Sequence, residues 1–314
     1  MRIRSGLLAT ALPLAVALLA SACSSSAAGG TSSAAADSST VITAIGAESE
    51  YADVISQVGG KYVQASAIMS NPNTDPHTFE ASPSVASEVS GAKLVVQNGI
   101  GYDDWATTIE NAAPNPDRKV INVQQLLGLP DSTPNPHLWY KPTTMPAVAN
   151  AIATDLAQIE PAHASYFKAN AASFTASLDA WNKAIAAFKA AYPNTPVAVT
   201  EPVADYMLQA AGADIMTPWS FQADIMNGVD PSPQDTAAEK ALFTEHKVKV
   251  FLYNEQVTDS LTESYISLAQ ANGIPVVGVY ETMPTGYDYQ SWMAAEVNAL
   301  TKAVADKTST EHLG

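Results

Sequence analysis

Residues 162–191 contain neither glycine nor proline, and they follow Pro161. Proline suits the first position of a helix, where its missing N–H leaves nothing unsatisfied. The stretch is rich in Ala, and Tyr166, Phe167, Phe174, Leu178, Trp181, Ile185 and Phe188 recur at helical spacing. As one helix of about 30 residues it would be roughly 45 Å long at 1.5 Å rise per residue. Ordinary helices in small domains are far shorter. The spacing therefore predicts a rod over 161–192 that joins two bodies.

On both sides of the rod, apolar runs alternate with helical periodicity. Before it, strands are expected at 41–45, 63–69, 94–98 and 119–123, and helices at 48–59, 82–91, 105–112 and 143–158. Ser82-Pro83 marks a helix start by its cap and first-turn proline. After the rod, strands are expected at 197–200, 248–253 and 275–280, and helices at 203–211, 235–246, 259–272 and 289–305. Such alternation builds parallel sheets covered by helices. The expected fold is α/β, with two α/β lobes linked by one long backbone helix. The N-terminal lobe spans 41–160, the C-terminal lobe 193–305, and a polar tail 306–314. Two lobes on a stiff rod leave a cleft between them. The sequence shows no internal repeat.

The first residues read as an export signal. Arg2 and Arg4 precede an apolar run over 7–19, too short for a helix to cross a bilayer. Leu19-Ala20-Ser21-Ala22-Cys23 resembles a bacterial lipoprotein signal, so residues 1–22 are expected to be removed and Cys23 lipidated; an ordinary secretory signal is the alternative. Residues 24–40 are almost wholly Ser, Ala, Gly and Thr, which cannot bury apolar area. With Cys23 they form a tether over 23–40, reaching on the order of 20 Å. This predicts a domain held at the extracytoplasmic face of the cell membrane. Cys23 is the only cysteine, which excludes internal disulfides and thiolate metal sites. Without residues 1–22 the chain has 13 basic and 31 acidic residues. That balance argues against nucleic acid as a partner.

Two of the five histidines share a local frame: Asp75-Pro76-His77 and Asn135-Pro136-His137. Proline fixes its own φ and restricts the residue before it, so each imidazole is aimed by a stiff loop. Neutral imidazole is a common metal ligand. In the second lobe, two predicted strands run directly into carboxylates, Glu201 and Glu281. Ligands of open parallel sheets gather beyond the carboxyl ends of strands. Two imidazoles and two carboxylates would neutralise a divalent cation. The set suits Zn²⁺ in a tetrahedron, or Mn²⁺ when a carboxylate binds through both oxygens.

These motifs resemble the cluster A-I solute-binding proteins of ABC transporters, which take up manganese or zinc. The resemblance spans about residues 41–305. It is carried by Asn73-Thr74-Asp75-Pro76-His77-Thr78-Phe79-Glu80 with Ser82-Pro83-Ser84, by Leu94-Val95-Val96-Gln97-Asn98-Gly99-Ile100-Gly101-Tyr102, and by Asn135-Pro136-His137-Leu138-Trp139. It implies a metal held by two side chains from each lobe: His77, His137, Glu201 and Glu281. The family's fourth ligand is usually Asp, so Glu281 lengthens that arm by one methylene. The resemblance also implies a monomer that catalyses no reaction, hands Zn²⁺ or Mn²⁺ to an ABC permease with its ATPase, and carries a backbone helix that limits hinge motion.

Other readings remain open for single residues. Glu201 also fits an acid at a helix start, and Glu255 is the rival for the fourth ligand. Trp139, Trp219 and Tyr280 are candidates to wall the ion from water, and Asp75 to hold a ligand imidazole. His163, His246 and His312 are excluded from the site. A metal-dependent hydrolase would use three ligands and an open water position; a surface adhesin would bind cells without the metal.

Overall fold

The strands are short runs of Val, Ile, Ala and Leu whose side chains are mostly buried, the pattern of sheets covered on both faces. The computed structural model describes residues 41–71, 79 and 82–313. The signal 1–22, the tether 23–40 with Cys23, and the loop with Asp75 and His77 lie outside the described residues. In the N-terminal lobe β1 (Ile42–Glu48), β2 (Val63–Met69), β3 (Leu94–Gln97) and β4 (Lys119–Asn122) form a parallel sheet in the order β2-β1-β3-β4. Helices α1 (Ser49–Gly59), α2 (Pro83–Gly91), α3 (Asp104–Ala112), the single turn α4 (Val123–Leu126) and α5 (Thr144–Ile159) connect and cover it. Ser82 does precede α2, with Pro83 in the first turn.

The rod is helical from 161 to 191: a short 3₁₀ turn (Pro161–His163), α6 (Ala164–Ser177) and α7 (Asp179–Ala191). Phe167, Ala171, Phe174, Leu178, Trp181, Ile185 and Phe188 form its buried stripe. The stripe runs through Leu178, where the α-helical hydrogen bonds lapse. There Ser177 Oγ donates to the Phe174 carbonyl at 2.6 Å, and the Leu178 N–H turns to Thr175 instead. A side chain has taken the acceptor the backbone would use. α6 packs on α1 and α5, whereas α7 packs on the C-terminal helix and on the helix over Asp205–Ala210, so the rod spans both lobes.

The C-terminal lobe contains β5 (Pro196–Val199), α8 (Asp205–Ala210), β6 (Asp214–Ile215), α9 (Trp219–Met226), α10 (Pro233–Thr244), β7 (Val250–Asn254), α11 (Ser260–Ala271), β8 (Val276–Val279) and α12 (Tyr289–Asp306). Its sheet is also parallel, ordered β6-β5-β7-β8. The two sheets thus repeat one topology without a visible sequence repeat. α4, β6 and α9 were not expected from the sequence. The first two are too short to show a period, and α9 begins directly after Pro218 with an exposed Trp219.

Residues 309–313 run along β8. Thr310 bridges Val277 in parallel, with Gly278 N–H donating to Thr310 and Thr310 N–H to Val276, both at 2.9 Å. The approach requires glycine: a Cβ on Gly278 would lie 2.1 Å from the Glu311 carbonyl oxygen. Among the described residues, no helix is long and apolar enough to cross a membrane.

Candidate metal centre

The carboxyl ends of the strands carry the polar residues that the apolar strands lack. β3 leads into Asn98, β7 ends in Asn254, β5 leads into Thr200-Glu201 and β8 into Tyr280-Glu281. All of these side chains are buried. His137 comes from the segment between β4 and α5. Its loop is pinned because Leu138, Trp139 and Tyr140 form one 3₁₀ turn and are completely buried.

Asn135 aims the imidazole. Its Nδ2 donates to the Pro202 carbonyl at 2.8 Å, so its Oδ1 is the atom turned toward His137. That oxygen accepts the His137 backbone N–H at 3.0 Å and faces ring Nδ1 at 2.8 Å. An amide oxygen only accepts, so Nδ1 carries the hydrogen and the opposite ring nitrogen, Nε2, is the one available to a ligand. Nε2 lies 3.1 Å from Glu281 Oε2, and both side chains are fully buried. Tyr102 donates its hydroxyl to the same oxygen at 2.9 Å, and Asn254 Nδ2 donates to the other, Oε1, at 2.5 Å. Trp139 and Tyr102 close around the imidazole edge-on, with ring centroids 5.4 and 5.9 Å away.

The structure therefore brings His137 and Glu281 into contact. Glu201 is buried at the end of β5, next to the Pro202 carbonyl that Asn135 grips. His77 lies outside the described residues, as does Asp75. Among the described residues no three His, Cys, Asp or Glu side chains stand close enough to hold an ion. The rival Glu255 points elsewhere, with Oε1 3.2 Å from Nδ1 of the exposed His312. Trp139 walls the imidazole, but Trp219 is 42% exposed and Tyr280 accepts the Leu313 N–H at 2.9 Å. His163 stacks on Tyr62 at 3.6 Å, and His246 lies in the turn after α10 with a positive φ.

Sequence reasoning missed the acids at the end of β1. Glu48 and Glu50 are fully buried, and neither oxygen of Glu48 has a hydrogen-bond partner among the described residues. Burial pushes Glu50 up to about 8, with Glu281 and Asp103 adding repulsion. Burial, Asp103 and Glu50 hold Glu48 well above the usual carboxylate range. No local sequence signal distinguishes these two from solvated helix-start acids. Nothing in the sequence around Asn254, at the end of β7, marks its amide as a partner of Glu281.

Comparison with known proteins agrees with this architecture. The manganese ABC transporter substrate-binding lipoprotein PsaA of Streptococcus anginosus is 23% identical over 273 residues, covering 74% of this chain and 86% of its own. The crystal structure of ZnuA superposes with a TM-score of 0.67 at 22% identity, covering 85% of this chain and 99% of that one. The solute-binding protein FpvC of Pseudomonas aeruginosa, in complex with Mn²⁺, superposes at 0.70 with 20% identity and the same coverage. The family signature described as ZnuA, zinc-uptake complex component A, periplasmic, matches residues 47–303. With two parallel sheets on a helical backbone and that match over most of its length, the chain belongs to the ZnuA family of metal-uptake solute-binding proteins.

Proposed function

We propose that this solute-binding protein closes on one divalent transition-metal ion, Zn²⁺ or Mn²⁺, with His137, Glu201 and Glu281 and with His77 as the fourth ligand. As a member of its family it serves metal uptake through an ABC transporter and is not an enzyme. One observation supports the ligand reading: His137 Nε2 and Glu281 Oε2, two atoms of metal-donor type, meet at 3.1 Å in a fully buried contact. A proton between them satisfies that contact without metal, and a divalent ion would take its place. Donor atoms about 2.0–2.1 Å from a tetrahedral ion lie about 3.3 Å apart, close to this separation. Lipidation at Cys23, residence on the extracytoplasmic face of the membrane and delivery by a monomer to its cognate permease belong to the same proposal. They rest on the sequence of residues 1–40 and on the lipoprotein relative.

The test is elemental analysis of purified protein with thermal-shift series in Zn²⁺, Mn²⁺ and Fe²⁺. One ion per chain is expected. Stabilisation should follow the ratio of free ion to Kd, about 4 kcal/mol at a thousandfold excess over Kd. A protein that responds to no ion, or whose His137→Ala variant responds unchanged, overturns the reading. Mass spectrometry of the N-terminus tests the lipid at Cys23.

A further inference from the structure

The rod changes partners at its middle. α6 packs on α1 and α5 of the N-terminal lobe, and α7 packs on α12 and α8 of the C-terminal lobe. Leu178, the residue at that change, is also where the helix is irregular: its ψ is −5°, against about −42° in a regular helix. Ser177 Oγ takes the Phe174 carbonyl at 2.6 Å, and the Leu178 N–H is left with a longer bond to Thr175 at 3.3 Å. A serine that competes for a carbonyl in this way weakens and bends a helix, and a tightened turn inside a helix often marks a hinge.

Gln290 meets the rod at the same point. It stands in the first turn of α12, and its Nε2 donates to Ser177 Oγ at 2.7 Å. The same nitrogen donates to Gln57 Oε1 on α1 at 2.6 Å, and Gln57 Nε2 returns a bond to Gln290 Oε1 at 2.9 Å. Gln57 Nε2 also donates to Asp53 Oδ2 at 2.6 Å, and that oxygen accepts the backbone N–H of Tyr289 at 3.0 Å. Each amide nitrogen thus uses both of its hydrogens. α1, the rod and α12 are tied at one point by a carboxylate, two amides and a hydroxyl. Asp53, Gln57 and Gln290 are half-buried, so water can replace each bond as it breaks.

We propose that the rod is jointed at Ser177–Leu178, and that Asp53, Gln57 and Gln290 form a latch holding the two lobes together across the joint. Each half of the rod moves with the lobe it packs on, so a bend at Leu178 carries the motion and leaves both cores intact. The freedom lies inside the helix that the family resemblance makes a brake on such motion. Joint and latch act in opposite senses. Without the Ser177 hydroxyl the Phe174 carbonyl returns to the Leu178 N–H and the rod stiffens. Without either amide the lobes part more readily.

The experiment measures interlobe distances in the metal-free, full-length chain by double electron–electron resonance, so its outcome does not depend on which residues hold an ion. Spin labels are placed at Asn111→Cys and Glu263→Cys, exposed positions on the two lobes, in a Cys23→Ser background. A second pair, Asn111→Cys with Thr154→Cys, lies within the N-terminal lobe and gives the width expected of a rigid body. The interlobe distribution should be the broader of the two. Gln57→Ala and Gln290→Ala should each raise its minor component about fivefold, the effect of one lost hydrogen bond. Ser177→Ala should lower that component and narrow the distribution. An interlobe distribution as narrow as the one within the lobe overturns the proposal before any joint or latch residue is changed. A shift in the same direction for Ser177→Ala and the glutamine variants, or no shift in any of them, overturns it as well.

Discussion

The two sheets place a fully buried asparagine at the same topological point, the carboxyl end of the third strand: Asn98 beyond β3 and Asn254 on β7. Their tasks differ. Asn98 accepts the Tyr51 hydroxyl at 2.6 Å and donates to the Pro136 carbonyl at 2.9 Å, beside His137. Asn254 donates to the carboxylate of Glu281 itself. In the N-terminal lobe the amide fixes where the His137 loop lies. In the C-terminal lobe it grips the Glu281 side chain directly. Equivalent positions in one topology thus hold a loop in one half and a single side chain in the other.

This contrast can be broken or sharpened by measurement. The largest effect is expected from the proposed ligands. His137→Ala and Glu281→Ala should each weaken Zn²⁺ binding by more than the 10–100-fold typical of outer-shell changes, as read by titration calorimetry. Equal losses from both would show that the lobes contribute comparably.

Next comes pH, because each lobe buries an acid. β1 ends in Glu48 and continues to Glu50, and burial raises Glu50 to about 8. Glu296 on α12, which receives Trp292 Nε1–H at 3.0 Å, is raised by burial to about 8 as well. An acid raised in the folded state holds its proton there while the unfolded chain has released it. Stability is then intact at or below the ordinary value of 4.5 and falls as pH rises toward 8. The Tm of metal-free protein should therefore drop between pH 5 and pH 8. Glu50→Gln and Glu296→Gln should each flatten that slope; an unchanged slope would mean these groups are already ionised.

Asn98→Ala should weaken Zn²⁺ and Mn²⁺ alike, by about 10–100-fold, and cost about 1–3 kcal/mol through the unpaired groups it leaves behind. A loss confined to one ion would show that Asn98 does more than place the His137 loop. Tyr140 joins the His137 loop to the other lobe, its hydroxyl 2.9 Å from the Tyr280 carbonyl and 3.1 Å from Glu296 Oε1. Tyr140→Phe should cost about 1 kcal/mol in denaturant unfolding. The smallest effect belongs to Glu255→Ala, whose partner His312 is exposed. It should leave both ion affinities where they are, and a loss there would reinstate Glu255 as a ligand candidate.

Much of the scaffold was legible because burial imposes period. The rod's stripe from Phe167 to Phe188, and strands such as Leu94–Gln97, are written in spacing alone. Proline before His137 and a strand end before Glu281 mark both as constrained, and the structure brings the two side chains into contact. Asn98, Tyr102 and Asn254 were not legible as positioning groups, since each depends on a partner far away in the chain. Tyr102 meets Glu281 across 179 positions, and no local pattern encodes that contact. The burial of Glu48 was hidden for the same reason, since only the packed lobes remove water from it.

The chain that runs along β8 has a further consequence. Thr310 occupies the open flank of the strand that delivers Glu281, and Leu313 reaches the phenol of Tyr280 immediately before it. Cutting the polypeptide before Ser309 would bare a row of unsatisfied peptide groups, a template on which a neighbouring molecule can add its own strand. Shortened forms should then self-associate and release their ion together, one lesion producing both faults.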